Sequence, residues 1–168
     1  MASFLIKVTW GRWQTDLPWL PVGELQAAAL LDLRFSNNKL SIWKIEDDSS
    51  NLDRVITALA ASKGKMSIEN VDYVILSQVV LDGLSLNIEK SPGGTLDGIA
   101  NKEWHYDIIK LTASKVLAIA QRIKEEPIKR KREVEIKRLI VKAIKEKQID
   151  HEIAEEPLRG KLRALIQA

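Results

Sequence analysis

The chain has 168 residues, 45% of them hydrophobic and 29% charged, with a formal net charge of +3. That length and mixture suit one domain, or one domain with an appendage, able to bury a core without staples, and they exclude wholesale disorder. The absence of cysteine excludes disulfides, thiolate nucleophiles and cysteine-ligated zinc or iron–sulfur sites, and it fits a reducing compartment.

Residues 3–10 set Phe4, Ile6, Val8 and Trp10 in alternation with mostly more polar neighbours, Leu5 excepted, and this period of two predicts a strand. The segment 11–23 reads as irregular, because Pro18 and Pro21 remove amide donors. Residues 31–35 and 40–45 predict a β-hairpin, with Leu31, Leu33 and Phe35 on one arm and Leu40 and Ile42 on the other. Asn37-Asn38 between them tolerates the left-handed backbone of a hairpin turn, and the first arm could start as early as Glu24.

Ser50 reads as a helix N-cap with Asp53 three residues on. Leu52, Val55, Ile56, Leu59 and Ala60 follow at helical spacing, and Lys63-Gly64 supplies the stop. Two more strands are predicted over 71–76 and 84–88, and residues 78–81 between them suit either state. Ser91-Pro92-Gly93-Gly94 is a turn, and a long helix is predicted over 104–124. Pro127 ends that helix and opens another, running to about Gln148. A short helix over about 157–166 closes the chain.

The expected fold is therefore α+β. A body of residues 1–126 holds a small, mostly antiparallel sheet of about five strands, one short helix and one long helix. A basic helical C-terminal arm, residues 127–168, follows it. The charge is divided in the same way, at −1 for residues 1–123 and +4 for residues 124–168.

Residues 1–10 lack the charged and long apolar segments of a secretory leader. The apolar-rich runs 25–33 and 71–81 fall short of the roughly 18 residues that cross a bilayer. A cytoplasmic location is expected.

No motif announces an enzyme. The histidines are His105 and His151. His105 lies near Asp107, but on the predicted helix residues two apart point in different directions. No strained elbow singles out a serine. Asp47-Asp48 reads as turn solvation rather than a cation site. Gly93-Gly94-Thr95-Leu96-Asp97-Gly98 lacks the Lys-Ser/Thr pair of a phosphate loop. No cofactor, metal or catalytic residue is assigned.

The arm carries more information. Between Lys129 and Lys147 it holds nine basic residues against Glu133, Glu135 and Glu146. Ile136, Leu139, Ile140, Ala143 and Ile144 form an apolar stripe at helical spacing. The candidate partner or phosphate contacts are Lys129, Arg130, Lys131, Arg132, Lys137, Arg138 and Lys142. Trp13 and Trp19, from a tryptophan-rich first stretch, are the candidate aromatic interaction surface.

The expected function is a non-enzymatic protein–protein interaction or accessory module that docks through these helices. The alternative is a nucleic-acid-binding accessory protein that contacts phosphates without sequence preference. No aromatic interleaves the basic run for base stacking, which ranks that reading second. Membrane-surface binding ranks last, since the stripe lacks Trp and Phe. The stripe would equally serve a symmetric self-contact.

Overall fold

The computed structural model describes residues 2–167. The chain folds into two compact units of interleaved stretches. One comprises the stretch up to Lys44, Asp72–Glu89 and Tyr106–Lys129. The other comprises Ile45–Val71, Lys90–His105 and the stretch from Arg130 onward.

Strand β1 (Ser3–Val8) follows the period-two pattern, with Phe4, Ile6 and Val8 in the core of the first unit. Leu5 is buried as well, so β1 is covered on both faces. A 3₁₀ turn at Trp10–Arg12 leads toward α1 (Ala27–Asp32), and β2 (Leu40–Ile45) follows. In the second unit, α2 (Leu52–Ala60) buries Val55, Ile56 and Ala60. Strand β3 (Val71–Ser77) pairs antiparallel with β1 along its length, Phe4 opposite Leu76 and Ile6 opposite Val74. The Ser77 hydroxyl accepts from the Val80 amide and caps α3 (Gln78–Gly83), and β4 (Asn87–Lys90) comes next. After α4 (Gly98–Glu103) come β5 (His105–Ile109) and α5 (Ala113–Glu125). Strand β6 (Lys129–Lys131), α6 (Glu133–Lys145) and α7 (Leu158–Gln167) complete the described chain.

Among the described residues the strands form one antiparallel sheet of six, in the order β4-β5-β2-β1-β3-β6. The α+β class read from the sequence is what the chain adopts, with a C-terminal helix in place.

The core of the first unit gathers Ile42, Val74, Leu76 and Ile108 from the strands with Val116, Ile119, Ala120 and Ile123 of α5. The rings of Phe4 and Tyr106 meet edge to face at 5.7 Å. Each fully buried aliphatic side chain there contributes roughly 1.5–3 kcal/mol.

Three predicted elements are corrected. The first arm of the expected hairpin is no strand, since α1 runs to Asp32 and irregular chain follows, whereas the turn and the second arm, β2 over 40–45, stand as expected. Ser36 and Lys39 form an isolated bridge around Asn37 and Asn38, at φ +51° and +57°. The expected long helix over 104–124 is β5 followed by α5. Lys110 at φ +53° breaks the chain direction, and Thr112 caps α5 by accepting from the Lys115 amide. The helix expected from Pro127 begins only at Glu133, after the short strand β6. Smaller shifts occur elsewhere. The cap position of α2 is Asn51 rather than Ser50, and β4 begins at Asn87, because Leu84 belongs to the end of α3.

In the second unit α6 packs on α2, with Ile136, Ile140 and Ala143 buried. Its first amides are met from two sides. Glu135 accepts from the Arg132 amide at 3.0 Å, and Asn70 accepts from the Glu133 amide at 2.8 Å. Acids in the first turn and lysines in the last complement the helix dipole. Helix α7 buries Leu158 and Leu162 and contacts both α6 and the 3₁₀ turn at His151–Ile153.

Arg163 on α7 grips Glu152 of that turn through both nitrogens of its fork, and this hydrogen bond holds the Glu152 carboxyl below its ordinary range. Glu156 is lowered in the same way, chiefly by Arg159. The depressed values fix the sign. The contribution is fully present above the ordinary glutamate range and is lost as pH falls through the lowered values. The protection factor of the α7 amides, taken at each pH against the exchange of an unstructured peptide, is therefore expected to fall on acidification, and Arg163→Gln should remove the part of that fall due to Glu152. A protection factor that stays constant across the acid range would contradict this account.

Candidate functional site

The basic run is divided by secondary structure. Lys129, Arg130 and Lys131 lie on β6, at one edge of the sheet, and Lys131 meets Asp53 at 2.9 Å. Arg132 is the exposed residue before α6. Lys137 is paired to Glu133 one turn back. Arg138, Lys142 and Lys145 stand exposed at i, i+4 and i+7 on α6, on the side away from Ile136, Ile140 and Ala143. Val134 (55% exposed) and the half-buried Val141 share that outer face. Lys142 approaches Glu146 at 3.9 Å, while among the described residues Arg138 and Lys145 have no ion-pair partner. The presented surface is thus a ridge of cations flanking two valines.

Trp13 and Trp19 do not share a surface. Trp13 is buried, and its indole N–H donates to Asp32 at 2.8 Å. The same buried carboxylate accepts from the Thr9 amide and lies 3.8 Å from Arg12. Trp13 is therefore a piece of the first unit's core, whereas Trp19 is 67% exposed. The aromatic surface reduces to Trp19.

Other sequence features prove to be internal structure. His105 is buried, with Nδ1 3.0 Å from both the carbonyl and the hydroxyl of Ser91. A carbonyl can only accept, so the Ser91 carbonyl suits the tautomer with its hydrogen on Nδ1, and the ring is tied to the Ser91 backbone. Asp107 accepts instead from the Ser41 hydroxyl at 3.2 Å. Asp48 accepts from the Ser50 amide, which lowers its carboxyl, so it serves the turn before α2.

The Gly93-Gly94 loop is braced by hydrogen bonds from its own amides. Asn101 accepts from the Thr95 amide, Thr95 from the Asp97 amide, and Asp97 from the amides of Ile99 and Ala100. A Cβ on Gly93 would meet the Asn101 side-chain oxygen at 2.5 Å, so this close approach requires glycine.

A constellation that sequence reading missed lies in the second unit, beside α2. Asp97 is 1% exposed and accepts from Arg54 Nε at 2.6 Å and Nη2 at 3.0 Å. The Arg54 guanidinium lies 5.5 Å from the centre of the Trp104 ring. The Trp104 indole N–H donates to Glu46 at 3.1 Å. These residues border a cleft of about 350 Å³, whose other wall is α6. Glu46, Arg54, Asp97 and Trp104 are scattered along the chain, so no local pattern announces them.

Among the described residues no group of three metal-type side chains converges, and no helix is long and apolar enough to cross a membrane. The chain matches no protein-family model, and neither a curated protein nor a solved structure is significantly similar to it.

Proposed function

We propose that this protein is a non-enzymatic interaction module whose docking element is the outer face of α6, and that its partner is an acidic protein surface. The supporting observation is the composition of that face. Its own apolar stripe is spent on α2, yet Val134 and Val141 remain among Arg138, Lys142 and Lys145. Cations around exposed aliphatic carbon suit an acidic amphipathic helix, which would bury the valines and match the charge. Trp19 is a second exposed contact of the kind enriched at binding surfaces.

One observation supports the phosphate alternative. Arg138, Lys142 and Lys145 form a row rising about 6 and about 10 Å along the helix, a spacing at which several phosphates can be neutralised. The readings separate by salt and by probe. The full chain is titrated with an acidic amphipathic peptide and with duplex and single-stranded DNA, at low and physiological salt. The expected result is peptide binding that survives physiological salt and falls about tenfold or more in Arg138→Glu/Lys145→Glu. DNA binding with a log–log salt slope near −0.9 per phosphate contact, and no peptide binding, would establish the alternative.

A further inference from the structure

The cleft between α2 and α6 is lined by both signs of charge, and its charges are unevenly matched. Asp53 is answered by Lys131. Arg54 is answered by the buried Asp97. Glu46 is half-buried, and among the described residues its carboxylate meets only the neutral indole N–H of Trp104. A carboxylate drawn partly out of water is stabilised by a cation or by several donors, and here one donor is supplied. On the opposite wall Lys142 is 69% exposed, with Glu146 at 3.9 Å, the outer limit of ion pairing. An under-served anion and a loosely held cation thus border one cavity.

The floor between them is rigid. Arg54 is clamped at two nitrogens and stacked on Trp104, and Asn51 accepts from the Glu46 amide at 3.0 Å, which fixes the backbone that carries the acid. Leu139 and Ala143 add apolar wall on the α6 side. The volume of about 350 Å³ falls at the lower end of small-molecule sites, which run roughly 300–1,000 Å³.

We propose that this cleft binds a small zwitterion of the free α-amino-acid class, its ammonium on Glu46 and its carboxylate on Lys142. A simple amine would leave Lys142 unmatched and a simple acid would leave Glu46 unmatched, so only a ligand with both groups answers the two walls. The aliphatic carbon of Leu139 and Ala143 offers contact to the ligand's side chain.

The test is thermal melting and calorimetric titration of the full chain against each free α-amino acid. The best amino acid is then compared with its decarboxylated amine, its deaminated acid and a neutral sugar. At about ten times Kd the expected rise in Tm is roughly 2–5 °C. The amine and the acid should each bind about tenfold or more weakly than the parent. Glu46→Gln retains an acceptor for the indole N–H, and Lys142→Gln changes an exposed side chain, so both should fold. Each should weaken binding about tenfold or more. If either variant loses stability by itself, the analogue series on the unaltered chain decides.

No response to any amino acid overturns the proposal. So does equal binding of the amine, the acid or the sugar, or unchanged affinity in Glu46→Gln. That substitution leaves Arg138 and Lys145 intact, so its outcome is independent of the docking reading above.

Discussion

Replacing Asp97 by alanine is expected to cost on the order of 3–5 kcal/mol, because it strands the Arg54 guanidinium against Trp104 without its partner. The same change removes the cap of α4, where Asp97 accepts from Ile99 at 3.0 Å and from Ala100 at 2.9 Å. Loss of such a cap alone costs about 1 kcal/mol. Against a typical total of roughly 5–15 kcal/mol, the combined loss leaves little. Asp97→Asn should cost less, since it keeps an acceptor for the helix amides while weakening only the charge pair. Urea unfolding curves for the two variants and the parent give the comparison. A loss below about 1 kcal/mol in Asp97→Ala would mean that the pair is dispensable.

The second large effect concerns α6. Ile140→Ala is expected to destabilise the chain by about 2–5 kcal/mol, the range for truncating a fully buried aliphatic side chain. Ile140 is 0% exposed, and the helix that carries it packs on α2. Val134→Ala, one and a half turns earlier on the exposed face, should stay within about 0.5 kcal/mol. Equal, small effects at both positions would show that α6 contributes nothing to its unit. The contrast also governs how binding is tested. Deleting residues 127–168 would strip covering from α2, so substitutions on the outer face are the cleaner probe.

The elements legible in the sequence were those whose pattern is local. The alternation in β1, the apolar spacing in α2 and the Asn37-Asn38 turn each state their structure within a few residues. Failures came where one pattern served two states. Leu31 and Leu33 alternate like a strand, yet the backbone there is helical, leaving Leu31 72% exposed and Leu33 buried. Across residues 104–124 the apolar positions fitted one long helix, and the break at Lys110 carries no glycine or proline to mark it. The signals available were Tyr106, Ile108 and Ile109, which favour strand, and Thr112 as a cap.

The candidate contacts fared in the same way. Spacing told correctly that Ile136, Ile140 and Ala143 share a face, and burial agrees. Spacing did not tell that Lys129, Arg130 and Lys131 leave the helix, because three charged residues carry no periodicity. Nor did it find Glu46, Arg54, Asp97 and Trp104. Their association is created by the packing of α4 on α2 and by nothing near any one of them.

Strand β6 has a consequence for solubility. A sheet ends in a row of unpaired backbone donors and acceptors, which a second sheet could extend. Here one outer strand is Lys129-Arg130-Lys131, and the other, β4, carries Glu89 and Lys90. A second copy approaching β6 edge to edge would set like charges side by side, so these cations guard the border of the sheet as well as colouring the arm. Chemical neutralisation of the lysines, or high salt, would lower that guard.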